Sequence, residues 1–259
     1  MDAVEQLRLA NGQQVSWLRW VDEFTGAVLG TVVFPPHDFP RSAHRPRPAR
    51  HAPALAALGA LRVDNGLPWG NWNDLPTFFA LWLAGLSIRL LFNDPCCPQQ
   101  NPKVERSQGT GKRWAEPGSC HSVKELQANL NQADRDQREY YPAAAGSRME
   151  LFPSLQHSGQ HYDLSWEKRT WSLRAAEHYL AEFVAIRKVS GSGHIRVYYA
   201  NQYIGVQFKG EYVQVQYDPD RNQWIVSDKE GREVRRLPAA EINHENLVKA
   251  TCPKNRKKL

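Results

Sequence analysis

Residues 98–110 read Pro98-Gln99-Gln100-Asn101-Pro102-Lys103-Val104-Glu105-Arg106-Ser107-Gln108-Gly109-Thr110. Asn101 suits a helix cap, and Pro102 suits the first helical turn, where a missing N–H costs nothing. Glu105 then falls one turn into the helix. Lys103, Arg106, Lys112 and Arg113 lie within two or three turns of it. Those cations form either an ordinary solvated face or a set of contacts to a polyanionic partner.

Two further acids stand at the ends of short apolar runs. Trp17 to Val21 reads as a strand ending at Asp22, Thr25-Gly26 as a turn, and Ala27 to Phe34 as the returning strand of a hairpin. Leu61-Arg62-Val63 reads as a third strand ending at Asp64, with Asn65-Gly66 shaping the turn. Strands entering a sheet side by side bring two carboxylates to one edge, and a helix on that edge adds a third. Three such acids repel one another without a cation. With Mg²⁺ (or Mn²⁺) such a cluster would hold two ions about 3.5–4 Å apart, a clamp for in-line phosphoryl displacement, while on spacing alone ordinary surface carboxylates are the default reading. Glu23 is set aside, because alternation along the strand sends it to the opposite face from Asp22.

The words around the acids carry more than their spacing does. Trp20-Val21-Asp22-Glu23-Phe24-Thr25-Gly26, Arg62-Val63-Asp64-Asn65-Gly66 and the 98–110 stretch resemble the three signature segments of the DDE transposase and retroviral-type integrase catalytic core. Within that superfamily they are most similar to bacterial insertion-sequence transposases. The resemblance covers about residues 13–142. It implies an α/β fold, an RNase H-like mixed sheet with flanking helices. It implies Asp22, Asp64 and Glu105 as a catalytic triad holding two Mg²⁺ or Mn²⁺ ions. The implied reaction is phosphodiester cleavage at an element end, then attack of the freed 3′-hydroxyl on target DNA. The implied partners are DNA, both element ends and target, and further copies of the chain as a homo-oligomer on that DNA. No membrane and no small-molecule substrate are expected. The implied place is a bacterial cytoplasm, at the nucleoid.

Two departures from the family stand out. Only about a dozen residues precede the first strand of the resemblance, so an end-recognising helix-turn-helix is expected to be missing or supplied by another chain. Pro35 to Pro53 has six prolines in nineteen residues, with four Arg and three His. That density forbids helix interior and sheet centre. It reads either as a frameshift scar in a decaying element or as a flexible basic loop touching DNA. The alternative to an active enzyme is therefore a truncated, inactive remnant that still binds DNA.

The remainder of the chain fills in around this core. Leu75 to Leu86 has helical spacing after Asp74 as N-cap, and Ile88, Leu90 and Leu91 follow as a buried strand. Ser122 and Glu125 form a capping box for a helix burying Val123, Leu126, Leu130 and Ala133. Residues 1–142 thus read as the catalytic core and 143–182 as a linker with a helix from about Leu173. Residues 183–240 read as a small β-barrel, with Val213, Val215 and Tyr217 alternating against Gln214 and Gln216. Residues 241–259 read as a basic tail.

Charge follows the same division. Residues 1–182 hold 19 basic and 19 acidic side chains, whereas 183–259 hold 14 and 8. Arg196, Lys209, Arg235 and Arg236, with Lys188 and Arg232, are candidates for DNA phosphates. Tyr198, Tyr199 and Tyr203 are expected in the barrel core. The apolar run from Leu75 to Phe92 is too broken for a membrane span, and the N-terminus has no signal-peptide pattern. Four cysteines without paired spacing read as reduced thiols, and His157 and His161 lack a second ligand pair for zinc.

Overall fold

In a computed structural model the described residues are 1–34, 59–65, 69–70, 74–94, 100–143, 146–155 and 164–248. The proline-rich stretch 35–53, Gly66, Cys96, Cys97, His157, His161, Cys252 and the last basic residues lie outside them. The strands are β1 (Asp2–Arg8), β2 (Gln14–Val21), β3 (Val28–Phe34), β4 (Ala60–Val63) and β5 (Arg89–Phe92). They continue with β6 (Pro142–Ala143), β7 (Gly146–Ser147), β8 (Val184–Lys188), β9 (His194–Val197), β10 (Ala200–Tyr203), β11 (Tyr212–Asp218), β12 (Gln223–Ser227) and β13 (Glu233–Pro238). The helices are α1 (Phe78–Gly85), α2 (Pro102–Ala115), α3 (Val123–Glu139), α4 (Arg148–Leu151), α5 (Leu164–Thr170), α6 (Leu173–Ala181) and α7 (His244–Val248). The chain is mixed α/β and forms two compact units, the described residues within 1–64 and 90–169 in one, those within 65–89 and 170–248 in the other.

The first unit is built on the expected hairpin. β2 and β3 pair antiparallel, Ser16 opposite Phe34 through Val21 opposite Val28. The turn between them is locally determined: Asp22 Oδ1 accepts from the Thr25 N–H at 2.6 Å and its hydroxyl at 2.7 Å, and Gly26 takes φ +72°. An unexpected strand, β1, pairs antiparallel with the other edge of β2, giving the order β1-β2-β3. With both edges of β2 occupied, β4 has no place beside it. β4 and β5 pair with each other in a separate two-stranded sheet, so the single mixed sheet expected from the sequence is not what the described strands form.

α3 lies on β3, with Leu126 and Leu130 fully buried beside Val15, Trp17, Ala115 and Cys120. Cys120 is a free thiol. Ser122 caps α3 by accepting from the Glu125 N–H, while Glu125 Oε2 accepts from His121 N–H rather than closing the box on Ser122. β3 ends the sheet, and its exposed backbone groups would otherwise template pairing with another chain. Amides from α3 take them instead. Gln127 accepts from Val33 N–H and donates to Thr31 O; Gln137 accepts from Val28 N–H and donates to Gly26 O. Arg138 donates to Val28 O.

At the centre of this unit lies a buried ion pair. Arg19, on β2, donates to Thr31 Oγ1 at 2.8 Å, to the Ser107 carbonyl, and to Asp134 Oδ1 at 2.8 Å. Both side chains are almost wholly buried. Burial pushes the Asp134 carboxyl up, and the Arg19 charge pulls it partly back. Gly111 makes the approach possible, since a Cβ there would lie 2.4 Å from Arg19 Nη2. The pair thereby fixes α2 and α3 against β2.

The second unit joins α1 to the C-terminal strands. Leu75, Leu81 and Ala84 share one core with Ala176 and Leu180 of α6 and with Val213, Val215, Trp224 and Val226 of the sheet. The Leu75–Leu86 segment, read with the catalytic core, packs here instead. α1 begins later than expected: Thr77 is its N-cap and accepts from Ala80 N–H. Asp74 instead accepts from Leu75 N–H and from Arg187 at 2.6 Å. The cause is Pro76, whose ring disfavours a helical Leu75.

β13, β12, β11 and β8 form an antiparallel sheet in that order, and β9 and β10 form a separate ladder. The alternation of Val213, Val215 and Tyr217 is as read, with all three buried. Among the described residues no strand pairing closes the two sheets into the expected barrel. Glycine lets the β9–β10 ladder fold back: Gly193 takes φ +75°, and a Cβ there would sit 2.6 Å from the backbone of Gly205 and Val206.

Candidate functional site

A cleft of about 480 Å³ opens in the first unit. Its walls come from three places in the sequence: Trp20 to Phe24 after β2, Ala60 to Arg62 on β4, and Gln100 to Val104 at the start of α2. They fall within or beside the three motifs quoted above, about forty residues apart at each step, but of the three acids Asp22 alone is among the lining residues. β2 delivers Asp22 to the rim because its strand ends one residue earlier, at Val21. α2 delivers Asn101 because Pro102 fixes the first turn there.

The polar groups in the cleft are largely interlinked. Arg62 Nε contacts Glu23 Oε2 at 3.2 Å. Lys103 Nζ donates to the carbonyls of Glu23 and Phe24 at 2.5 and 2.9 Å. The Met1 amine donates to Arg62 O, and burial lowers its pKa. Asp2, close by, is pushed up by burial, with the Asp64 charge adding to the effect. Asn101 occupies the N-cap position of α2 but makes no side-chain cap bond. Its Nδ2 is buried and has no hydrogen-bond partner among the described residues. A buried donor left unmade costs about 1–3 kcal/mol, so a polar guest here would be rewarded.

The three predicted acids sit differently from one another. Asp22 lines the cleft, one oxygen held by Thr25. Asp64 accepts from Asn93 Nδ2 at 2.6 Å. Glu105 is exposed on α2. The donor chemistry of three carboxylates suits a hard divalent cation. Their arrangement does not gather them: among the described residues no group of three or more His, Cys, Asp or Glu is placed to hold a metal ion. Glu23 corrects an expectation. It lies past the end of β2, in the turn, where strand alternation no longer applies, and it lines the same cleft as Asp22.

The predicted DNA contacts divide by environment. Lys103, Arg106, Lys112 and Arg113 are exposed on α2, whose inner face is Val104, Ser107, Gln108, Gly111 and Ala115. In the second unit Arg196, Lys209 and Arg235 are exposed. Arg236 is bound to its own sheet, at 2.7 Å from Asp218 and 3.0 Å from Glu233. Arg232 is likewise held by Asp228. The tyrosines correct the sequence reading. Tyr198 packs inward against Phe78 and Trp224, but Tyr199 and Tyr203 are 58% and 45% exposed. Arg62, Gln100 and Asn101 were not singled out as cleft residues, although each flanks a quoted acid in sequence.

No family model matches this chain. Among solved structures it is similar to the catalytic core domain of BIV integrase, with a TM-score of 0.42 and 20% identity, over 61% of this chain and 95% of that one. No helix among the described residues is long and apolar enough to cross a membrane.

Proposed function

We propose that the chain is a DNA transposase or integrase of the DDE type, cleaving a phosphodiester at the end of a mobile element and joining the freed 3′-hydroxyl to target DNA. The observation that supports this reading is that Trp20 to Phe24 of the first motif, Arg62 of the second and Gln100 to Val104 of the third line one cleft, with Asp22 on its wall. In this reading Asp22, Asp64 and Glu105 would be the ligands of Mg²⁺ or Mn²⁺ only once drawn closer together than they stand here, and the ions would supply charge stabilisation to a phosphoryl group. Asn101 offers its unused amide to a phosphate oxygen. Arg106, Lys112 and Arg113 follow the DNA backbone along α2, and Arg196, Lys209 and Arg235 hold DNA on the second unit, with a salt-dependent affinity. The chain works as a homo-oligomer on paired DNA ends.

The test is cleavage and strand transfer on plasmid and oligonucleotide DNA with Mg²⁺ or Mn²⁺. Activity that requires the ion and disappears in Glu105→Gln supports the reading. Activity that survives Glu105→Gln sinks the triad. DNA binding without any cleavage would leave the inactive remnant.

A further inference from the structure

The β9–β10 ladder of the second unit presents an outward face with a distinct chemistry. In an antiparallel pair, residues directly opposite one another share a face. His194 stands opposite Tyr203, and Arg196 opposite Asn201. The alternate residues Ile195 and Val197 are buried in the core, so these two pairs face solvent. The His194 and Tyr203 rings lie 5.2 Å apart, and the Arg235 guanidinium of β13 sits 5.7 Å from the Tyr203 ring centre. Nearly half of Tyr203 remains exposed between them.

Most other arginines of the unit are neutralised, although Arg174, Lys188 and Lys209 also have no ion pair among the described residues. Arg187, Arg221, Lys229, Arg232 and Arg236 are each paired with a carboxylate. Among the described residues Arg196 and Arg235 have none within 4 Å, and no acidic residue lies on either strand of the ladder. The His194 ring is anchored by contacts of its Nδ1 with the Ser192 carbonyl and hydroxyl. A half-exposed aromatic ring, flanked by an anchored imidazole, with the Arg235 guanidinium over one face and Arg196 on the same face of the ladder, suits a ligand with flat rings and spaced anions.

We propose that this face binds single-stranded nucleic acid, with an unpaired base stacked on Tyr203 and adjoining phosphates held by Arg196 and Arg235. Stacking requires a base freed from its duplex partner, so the site prefers single strands and tolerates any sequence. Asn201 stands one residue pair further along and supplies amide hydrogen bonds to a sugar or base edge. The proposal deepens the reading of Arg196 and Arg235 given above, and rests on it for the nucleic-acid partner. It asks nothing of Asp22, Asp64 or Glu105.

The test is fluorescence anisotropy of the full chain with a labelled twelve-nucleotide oligo-dT and with a labelled duplex of equal length. Tyr203→Ala is expected to weaken oligo-dT binding about tenfold while changing duplex binding little. Tyr203→Phe, which keeps the ring, is expected to bind oligo-dT within about twofold of wild type. Arg235→Gln is expected to lower the salt slope of oligo-dT binding by about one. Oligo-dT binding that is absent, or unchanged in Tyr203→Ala, overturns the proposal. So does an equal loss for duplex and single strand, which would make Tyr203 a structural residue. Failure of the divalent-ion cleavage assay leaves these outcomes unchanged, so the two readings fail separately.

Discussion

Two glycines on α2 should respond in opposite directions to the same substitution. Gly109 and Gly111 lie two residues apart in the helix that carries Glu105. A Cβ at Gly109 meets nothing within 4 Å, whereas one at Gly111 meets the Arg19 guanidinium at 2.4 Å. In a helix interior, alanine gains about 1 kcal/mol over glycine at either place. At Gly109 that gain stands alone. At Gly111 it meets a side chain that cannot swing away freely, because Arg19 is held by Thr31, Ser107 and Asp134 and is buried. Overpacking costs about 1–3 kcal/mol, and prising the buried pair apart costs about 3–5 kcal/mol. The clash wins, and Gly111→Ala should lose about 2 kcal/mol net. With a urea slope of about 3 kcal/mol/M, the midpoint should rise about 0.3 M for Gly109→Ala and fall about 0.7 M for Gly111→Ala. Equilibrium urea unfolding followed by circular dichroism and tryptophan fluorescence measures both. If Gly111→Ala stabilises as much as Gly109→Ala, the Arg19 guanidinium is not pinned, and the account of how α2 is seated is wrong.

The remaining predictions concern the same two units. Asp134→Ala leaves Arg19 buried with one partner gone and should cost about 3 kcal/mol; Arg19→Met with Asp134→Leu should recover most of that loss in the same unfolding experiment, and a double variant no better than Asp134→Ala would refute the pair's role. In the second unit the Arg236 hydrogen bond holds the Asp218 carboxyl below its ordinary range. The folded-state value is depressed, so this stabilisation is complete above the unfolded value of about 3.9 and drains away as pH falls through the lower folded value. Asp218→Asn should therefore flatten the acid-side loss of stability, and an unaltered pH slope between neutral and acid unfolding curves would count against it. Gly193→Ala, driven into the backbone of Gly205 and Val206, should destabilise the β9–β10 ladder by about 1–3 kcal/mol, read as faster amide exchange in β9 and β10 than in β12.

What was legible in the sequence was what short-range chemistry determines. The β2–β3 hairpin is written in Asp22, Thr25 and Gly26, whose turn bonds span three residues. α3 is written in Ser122 and the spacing of Leu126 and Leu130. β1 was hidden by its own irregularity: a register shift between Val4 and Leu7, with Gln6 at φ +58°, breaks the period of two that marks a strand. The partners of α1 were hidden for another reason. Leu81 and Ala84 would be buried in either unit, and no local pattern says which core receives them. Arg19 sits in the middle of an apolar strand, and only the arrival of Asp134 from α3, far along the chain, explains its burial. The cleft was legible as three words. The relative placement of Asp22, Asp64 and Glu105 was not, because it depends on whether β4 lies beside β2 or apart from it.

The catalytic reading is tested most directly by divalent-ion-dependent nicking of supercoiled DNA in wild type, Glu105→Gln and Glu23→Gln. Glu23 lines the cleft beside Asp22 yet lies outside the assigned triad. The account predicts nicking by wild type only with Mg²⁺ or Mn²⁺, its loss in Glu105→Gln, and its survival in Glu23→Gln. Nicking that persists in Glu105→Gln, or that vanishes in Glu23→Gln alone, would contradict it.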